Sequence, residues 1–290
     1  MITPLLTVII PTLADSKRAV SLRKAIASVL DQKYAFVHPL IVVNGHRFDP
    51  DLVKELERRP ELQVLKVALP SLSNAIYQGR LAITTPFFSF LDDDDEYLPE
   101  SIMIRMRKLQ DNPLCIMVAS GGFRDSGGDR TPSAYNLSRA LIDPFHELSL
   151  NNWMTSCGAI YRSSLVGPDV FKNIPDHLEW TYLAYKLLML GPFCMVNEPC
   201  YIIHDTPGSL SKSTAYSQAP AIVLREVLKL NLSRDARQSV LMRLARVEHD
   251  LASYSLANGF RLKALKHHVK SLLLPGGIKY LTFSRHLFKP

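Results

Sequence analysis

The sequence predicts an α/β fold, a mostly parallel sheet flanked by helices, with an all-helical extension behind it. Two observations carry this reading. Short runs of strand-forming residues at 6–10, 40–43, 63–67 and 87–91 alternate with segments of helical apolar spacing, the order that lays parallel strands side by side under covering helices. Beyond Ser217 three helical segments follow with no strand signal between them, so the chain divides into residues 1–216 and 217–290.

In order, residues 19–30 carry Val20, Leu22, Ile26, Val29 and Leu30 with Arg and Lys between them, as a surface helix should. The strand at 40–43 is followed by a helix over 51–59, the strand at 63–67, and a helix over 73–83 behind Pro70-Ser71. After the strand at 87–91, Pro99 stands where the first turn of a helix tolerates proline, and helical spacing runs on over 100–109 to Asn112-Pro113. Residues 115–119 look strand-like, and Gly121-Gly122 with residues 125–129 then mark a loop region. A strand-like stretch at 156–162, a helix over 176–190 closed by Gly191-Pro192, and one or two short strands in 195–203 complete the first part. Segments 219–230, 234–256 and 260–274 form the helical extension, with 246–257 and 261–273 reading as a helical hairpin.

Composition narrows the class further. The 290 residues suffice for a full core, and the longest apolar stretches, at 115–119 and 187–190, fall far short of the roughly 20 residues that span a bilayer. The N-terminal stretch lacks the basic flank and small-residue cleavage site of a signal peptide and is read as a first strand. Cys115, Cys157, Cys194 and Cys200 show no CxxC spacing, so buried free thiols in a reducing cytosol are expected and zinc is not. Residues 217–290 hold 13 Lys and Arg against 4 Asp and Glu, a net +9, whereas the rest of the chain, with 21 against 23, stands at −2. The basic excess belongs to the extension.

Phe90-Leu91-Asp92-Asp93-Asp94-Asp95 is the most informative stretch. If the strand persisted, Asp92 and Asp94 would share one side and Asp93 and Asp95 the other. Carboxylates packed this closely raise one another's pKa or recruit a cation, and hard oxygen ligands suit Mg2+, Mn2+ or Ca2+. The alternative is a solvated acidic turn. A calcium loop is disfavoured by the missing Asp-x-Asp-x-Asp-Gly spacing.

With the strand Val8-Ile9-Ile10-Pro11-Thr12, the segment Ser28-Val29-Leu30-Asp31-Gln32, the strand ending Val43-Asn44-Gly45, and Thr84-Thr85-Pro86 leading into the acidic run, the chain resembles the family 2 glycosyltransferases of the GT-A fold. The resemblance covers roughly residues 5–213. It implies a Rossmann-like nucleotide-sugar domain that moves a hexosyl-type sugar from a nucleoside diphosphate donor to an acceptor hydroxyl, with inversion and with Mn2+ or Mg2+ as cofactor. A cation on the diphosphate oxygens would neutralise the leaving group's charge, and the end of an apolar strand is where such sites form on open α/β sheets.

Carried onto this sequence, the family's Asp-x-Asp pair is Asp92 and Asp94, with Asp94 on the metal, Asp92 on the ribose or a cation-bound water, and Asp93 supporting donor binding. Pro11 and Thr12 fall at the nucleotide-contact position. Asn44 stands where many members have an aspartate, and an amide keeps one acceptor while adding donors. Gly79 and Arg80 fall where backbone or guanidinium would approach the diphosphate, although an exposed helix charge explains Arg80 as well. His204, ahead of Gly208-Ser209-Leu210-Ser211, is expected as a metal ligand or phosphate contact, and a hydrogen-bonded structural role is its alternative.

Inversion needs a carboxylate that takes the acceptor's proton, and Glu179 is the first choice with Asp176 the second. The two also satisfy a capping box. Trp153 and the loop 151–158 are expected to line an acceptor site, or else Trp153 belongs to the core. The acceptor implied is a glycan or a lipid-linked glycan, in assembly of a cell-surface or exported polysaccharide. The basic extension is expected to pack on the catalytic domain with peripheral attraction to a membrane's inner face in an otherwise cytoplasmic protein, and no motif points to nucleic acid. A nucleotidyltransferase is disfavoured because no early Gly-rich basic loop follows the first strand. The departures at Asn44 and Tyr77 leave a second reading, a GT-A-like binding scaffold without turnover.

Overall fold

A computed structural model describes residues 6–33, 36–133, 137–206 and 214–287, with the backbone alone at 214–218. Among these residues nine strands form one sheet: β1 (Leu6–Thr12), β2 (Val37–Asn44), β3 (Gln63–Val67), β4 (Phe87–Phe90), β5 (Glu96–Tyr97), β6 (Met117–Ser126), β7 (Asp129–Pro132), β8 (Ala159–Arg162) and β9 (Phe193–His204). Their order is β3-β2-β1-β4-β8-β6-β9-β5, with β7 paired to β6. The long ladders, β1 with β2, β2 with β3, and β6 with β9, are parallel, while β8 runs antiparallel between β4 and β6.

The flanking helices are α1 (Ala19–Leu30), α2 (Pro50–Glu57), α3 (Leu72–Ala82), α4 (Ser101–Gln110), α5 (Leu137–Ile142), α6 (Pro144–Leu150) and α7 (Glu179–Leu188). The period of two along each strand sorts the apolar residues onto two faces. Ile9, Leu40, Val42, Phe88 and Phe90 enter one core, and Leu6, Val8, Ile10, Ile41 and Val43 enter the other. Because both faces are covered, the central strands are apolar at nearly every position.

Two sequence features explain themselves in this packing. Gln32, at the end of α1, donates from Nε2 to the Leu98 carbonyl at 3.0 Å and accepts at Oε1 from the Ile102 N–H at 3.1 Å. It ties α1 to the chain just past the acidic run. Gly79 lies where α3 crosses the sheet, and a Cβ there would sit 2.5 Å from Ile9 Cγ2 and 3.1 Å from Val42 Cγ2.

The structure corrects the expectation for Gly79 and Arg80. Arg80 is buried; its guanidinium donates to the carbonyls of Val166 at 2.8 Å and Ser163 at 3.0 Å and stacks over Phe88. Burial lowers its pKa. Gly79 serves close helix-to-sheet packing, and Arg80 tethers the loop after β8.

Other boundaries shift for local reasons. The Gly-rich segment read as loop continues β6 into a hairpin with β7, and Gly122 is required because a Cβ would strike the Tyr201 ring at 2.4 Å. Glu100 is left-handed at φ 62°, so α4 starts one residue late. His177 and Leu178 are left-handed too, and α7 begins at Glu179 rather than Asp176.

The extension comprises α8 (Thr214–Val227), α9 (Arg234–Ala257), α10 (Arg261–Leu272) and α11 (Ser284–Leu287). The expected boundary at 216/217 falls inside α8. Val223, Leu224, Val227, Val240 and Leu244 join the same core cluster as α7. Tyr185 Oη meets Ser239 Oγ at 3.0 Å, and Arg243 and Arg246 donate to the last carbonyls of α6 at 3.0 and 2.6 Å.

Gly79→Ala should cost about 1–3 kcal/mol through overpacking against Ile9 and Val42, read as a lowered midpoint in urea. Ligand affinity of the folded fraction should be unchanged, which separates a packing role from a diphosphate role.

Candidate functional site

β1 has β2 and β3 on one side and β4 on the other, so the chain order reverses at the β1/β4 boundary. A crevice opens at the carboxyl ends of strands at such a point. Here it is a cleft of 1310 Å³ lined by Pro11 and Thr12 after β1, Asn44 after β2, Asp92 to Asp95 after β4, His204 at the end of β9, and Glu179 at the start of α7.

The acidic run does not continue the strand. β4 ends at Phe90, and the Asp95 N–H donates to the Asp92 carbonyl at 3.1 Å, closing a turn. The expected alternation therefore fails, and the carboxylates find partners from different segments, with Arg18 shared by Asp93 and Asp94. Asp92 accepts from Ser156 Oγ at 2.7 Å. Asp93 accepts from Thr12 Oγ1 at 2.6 Å and from Arg18 at 2.9 Å, and the same Arg18 nitrogen lies 2.8 Å from Asp94. Asp95 accepts from the His204 backbone N–H at 3.1 Å.

These partners do not fully offset burial. Desolvation, reinforced by repulsion from neighbouring carboxylates, pushes Asp92 up to about 7. Burial likewise carries Asp93 to about 6, against the pull of Arg18 and Thr12, and raises Asp95 well above the ordinary carboxylate range. The turn keeps an unmet demand for positive charge at the cleft floor.

A divalent cation fits that demand in one form only. Among the described residues no group of three or more His, Cys, Asp and Glu side chains converges as a metal cage. The expected set of Asp92, Asp94 and His204 does not converge as three ligands among the described residues, and the His204 ring reaches Glu96 Oε1 at 2.8 Å. The carboxylates of the turn would suit a cation held by one or two acidic side chains with the remaining positions filled by phosphate oxygens and water.

Across the cleft Glu179 is 8% exposed, and burial raises its pKa. One of its oxygens accepts the His177 N–H at 3.1 Å. Asp176 is turned away, with Ser71 Oγ at 3.2 Å and Ser73 Oγ at 3.4 Å, so the capping box does not form. Asn44 spends its carbonyl oxygen on the Ser71 N–H at 3.0 Å. Trp153 is 1% exposed, donates to the Pro144 carbonyl and stacks on Phe193. It belongs to the core, while its neighbours Asn152, Thr155 and Ser156 line the cleft with Trp180. The Gly-Ser-x-Ser segment at 208–211 lies outside the described residues.

Residues 7–166 match the description of glycosyl transferase family 2, more than half of the 290-residue chain. The chain belongs to glycosyl transferase family 2. This transferase also resembles solved structures of TarS from S. aureus. The TarS 1-349 complex with UDP-GlcNAc is 17% identical, covers 92% of this chain and 80% of its own, and superimposes with a TM-score of 0.62. The complex of the same fragment with UDP is 16% identical, covers 89% and 75%, and gives 0.58. At these identities the likeness establishes the GT-A fold. No curated protein matches the transferase in sequence.

Sequence reasoning missed Arg18, Trp180 and Arg243, all of which line the cleft, whereas Ser156 belongs to the 151–158 loop expected there. Arg18 carried a faint signal, a Lys-Arg pair just ahead of α1. Arg243 carried none, because it arrives from α9, some 90 residues beyond the loops it joins.

Arg18→Met should leave Asp93 and Asp94 without their shared cation and cost about 1.5–3 kcal/mol in a chelating buffer, the range for charge-assisted hydrogen bonds. Added Mn2+ should raise the melting temperature of the variant more than that of the wild type.

Proposed function

We propose that this glycosyltransferase moves a sugar from a UDP-sugar to an acceptor hydroxyl with inversion, using Mn2+ or Mg2+. The observation that carries the reading is the opposition, within one cleft, of the carboxylates after β4 and the buried Glu179 on α7. UDP is proposed because TarS is solved with UDP and with UDP-GlcNAc.

In this reading the nucleotide rests against Pro11 and Thr12. With its carbonyl taken by Ser71, Asn44 offers a nucleobase its amide N–H donors, which suit a base carbonyl. Asp92, held by Ser156, is placed for the ribose, and Asp94 is the carboxylate for the cation, with Arg18 as its partner otherwise. The cation, when bound, supplies charge neutralisation to the departing diphosphate.

Glu179 acts as the general base. Its raised pKa makes it a better proton acceptor than an exposed glutamate, and burial keeps bulk water from competing for its oxygen. The acceptor proton passes to Glu179 Oε as the acceptor oxygen attacks the anomeric carbon from the face opposite the diphosphate. Asp176 serves instead to hold α3 through Ser71 and Ser73. The acceptor is a glycan hydroxyl of a growing cell-surface or exported polysaccharide, free or lipid-linked, entering past Trp180 and the loop before β8.

Calorimetric titration of UDP, GDP, ADP and CDP with and without Mn2+ or Mg2+ tests the donor site. One nucleotide, UDP, should bind with cation dependence, and Asp94→Ala should weaken it at least tenfold. If no nucleotide binds under any metal condition, the donor site is misassigned. Glu179→Gln should retain that affinity while slowing transfer, or donor hydrolysis where no acceptor is at hand, by about 10²–10⁴-fold. An unchanged rate in Glu179→Gln removes it as the base.

A further inference from the structure

We propose that the outer face of α10, with the turn that follows it, is a docking surface for an anionic lipid bilayer. The helix has a buried inner face and, on the opposite side, an apolar strip where a surface helix normally presents polar residues. Ala264, His268 and Ser271 are buried on the inner face. On the outer side Leu262, Leu265, Val269 and Leu273 recur at helical spacing, with Leu262 85% and Leu273 81% exposed. Ile278, 73% exposed, and Leu281 are further exposed apolar residues in the segment that follows the helix.

The helix cannot roll to bury this strip. His267 Nδ1 lies 2.7 Å from Glu248 Oε2, and His268 Nε2 lies 2.8 Å from Ser284 Oγ. Both contacts pull from the inner face, and Glu248 is itself anchored by Arg225. The aliphatic strip therefore faces outward by construction.

Charge selects the occupant. Residues 251–290 hold seven Lys and Arg and no Asp or Glu, and Lys263, Lys266 and Lys270 border the strip. A second copy laid face to face would set lysine against lysine with no carboxylate between, which costs free energy. A nucleic acid would satisfy the lysines but offers no apolar layer for the leucines. An anionic bilayer supplies both, phosphates at the surface and acyl chains just beneath. Lys263 also lies over the Phe260 ring at 5.0 Å, a cation–π contact that holds its ammonium beside the strip. Among the described residues no helix is long and apolar enough to cross a membrane, so the contact lies along the surface.

The full chain should co-sediment with vesicles of phosphatidylcholine mixed with phosphatidylglycerol, bind phosphatidylcholine alone far less, and release as salt is raised. Replacing Lys263, Lys266 and Lys270 together by Gln should weaken binding about a hundredfold, at about fivefold per charge. Leu262→Glu with Leu273→Glu should abolish it. All five positions lie outside the core and the cleft, so melting temperature and nucleotide binding should stay at wild-type values. Because the native cysteines are buried, a dye on Leu273→Cys can report directly. Its emission should shift to the blue on mixed vesicles, whereas a dye on Asp51→Cys, exposed on α2, should not move. Equal sedimentation on the two vesicle types, an unmoved dye at 273, or wild-type binding by the double glutamate variant would each overturn the proposal. So would self-association in solution that the double glutamate variant loses, which would give the face to a second copy.

Discussion

Four carboxylates in consecutive residues can sit at the buried end of a strand only if each finds a partner as it leaves water, because an unpaired buried charge is far costlier than an exposed one. The partners of Asp92 to Asp95 come from four separate places. Thr12 ends β1, Arg18 precedes α1, Ser156 opens the short turn before β8, and the His204 N–H closes β9. Satisfying the acidic turn therefore fixes the mutual positions of the chain segments around the cleft. The compensation remains incomplete, since burial still lifts Asp92 to about 7 and Asp93 to about 6. A site built this way favours any ligand that brings positive charge to the floor.

Much of this was legible in the sequence, and the reasons are specific. Strands covered on both faces announce themselves as short apolar runs, so β1 to β4 stand where the runs stand. Ser28-Val29-Leu30-Asp31-Gln32 could be matched as a pattern because Gln32 must reach both Leu98 and Ile102. What failed were inferences that extended a local period past a break. Asp92 and Asp94 would share a face only in a continuing strand, and the turn at Asp92 to Asp95 ends it. Gly121-Gly122 read as a loop because glycine weakens strands in general, whereas here the missing side chains make room for Tyr201. Gly79 and Arg80 read as diphosphate contacts, with an exposed helix charge as the alternative for Arg80. The contacts they make across the fold, Gly79 with Ile9 and Val42 and Arg80 with the carbonyls of Ser163 and Val166, are set by residues distant in sequence and so were invisible locally.

The extension shows why a boundary drawn from composition differs from one drawn from packing. Residues 217–290 are strongly basic and carry helices with no strand among the described residues, yet α8 and α9 complete the core beside α7, and Arg243 reaches from α9 into the cleft. The charge excess is concentrated in the last part of the chain, where α10 rests on α9 through Glu248 and His267. A short inward face suffices to hold that helix, which frees its remaining faces from the demands of the core.

The choice between Asp176 and Glu179 turns on two backbone dihedrals. In an unbroken helix, residues three apart share a face, and both carboxylates would point the same way. His177 at φ 64° and Leu178 at φ 54° interrupt the helix between them. Left-handed conformations at non-glycine residues cost of order 1–3 kcal/mol each and persist only where surrounding contacts enforce them. The enforcing contacts are visible: Asp176 is drawn to Ser71 and Ser73 on the α3 side, while Glu179 takes the His177 N–H. The strained pair swings one carboxylate toward α3 and leaves the other at the cleft, so a single acidic side chain of α7 faces the carboxylates after β4. The pair thus leaves Glu179 as the one α7 carboxylate at the cleft, the arrangement the proposed base requires.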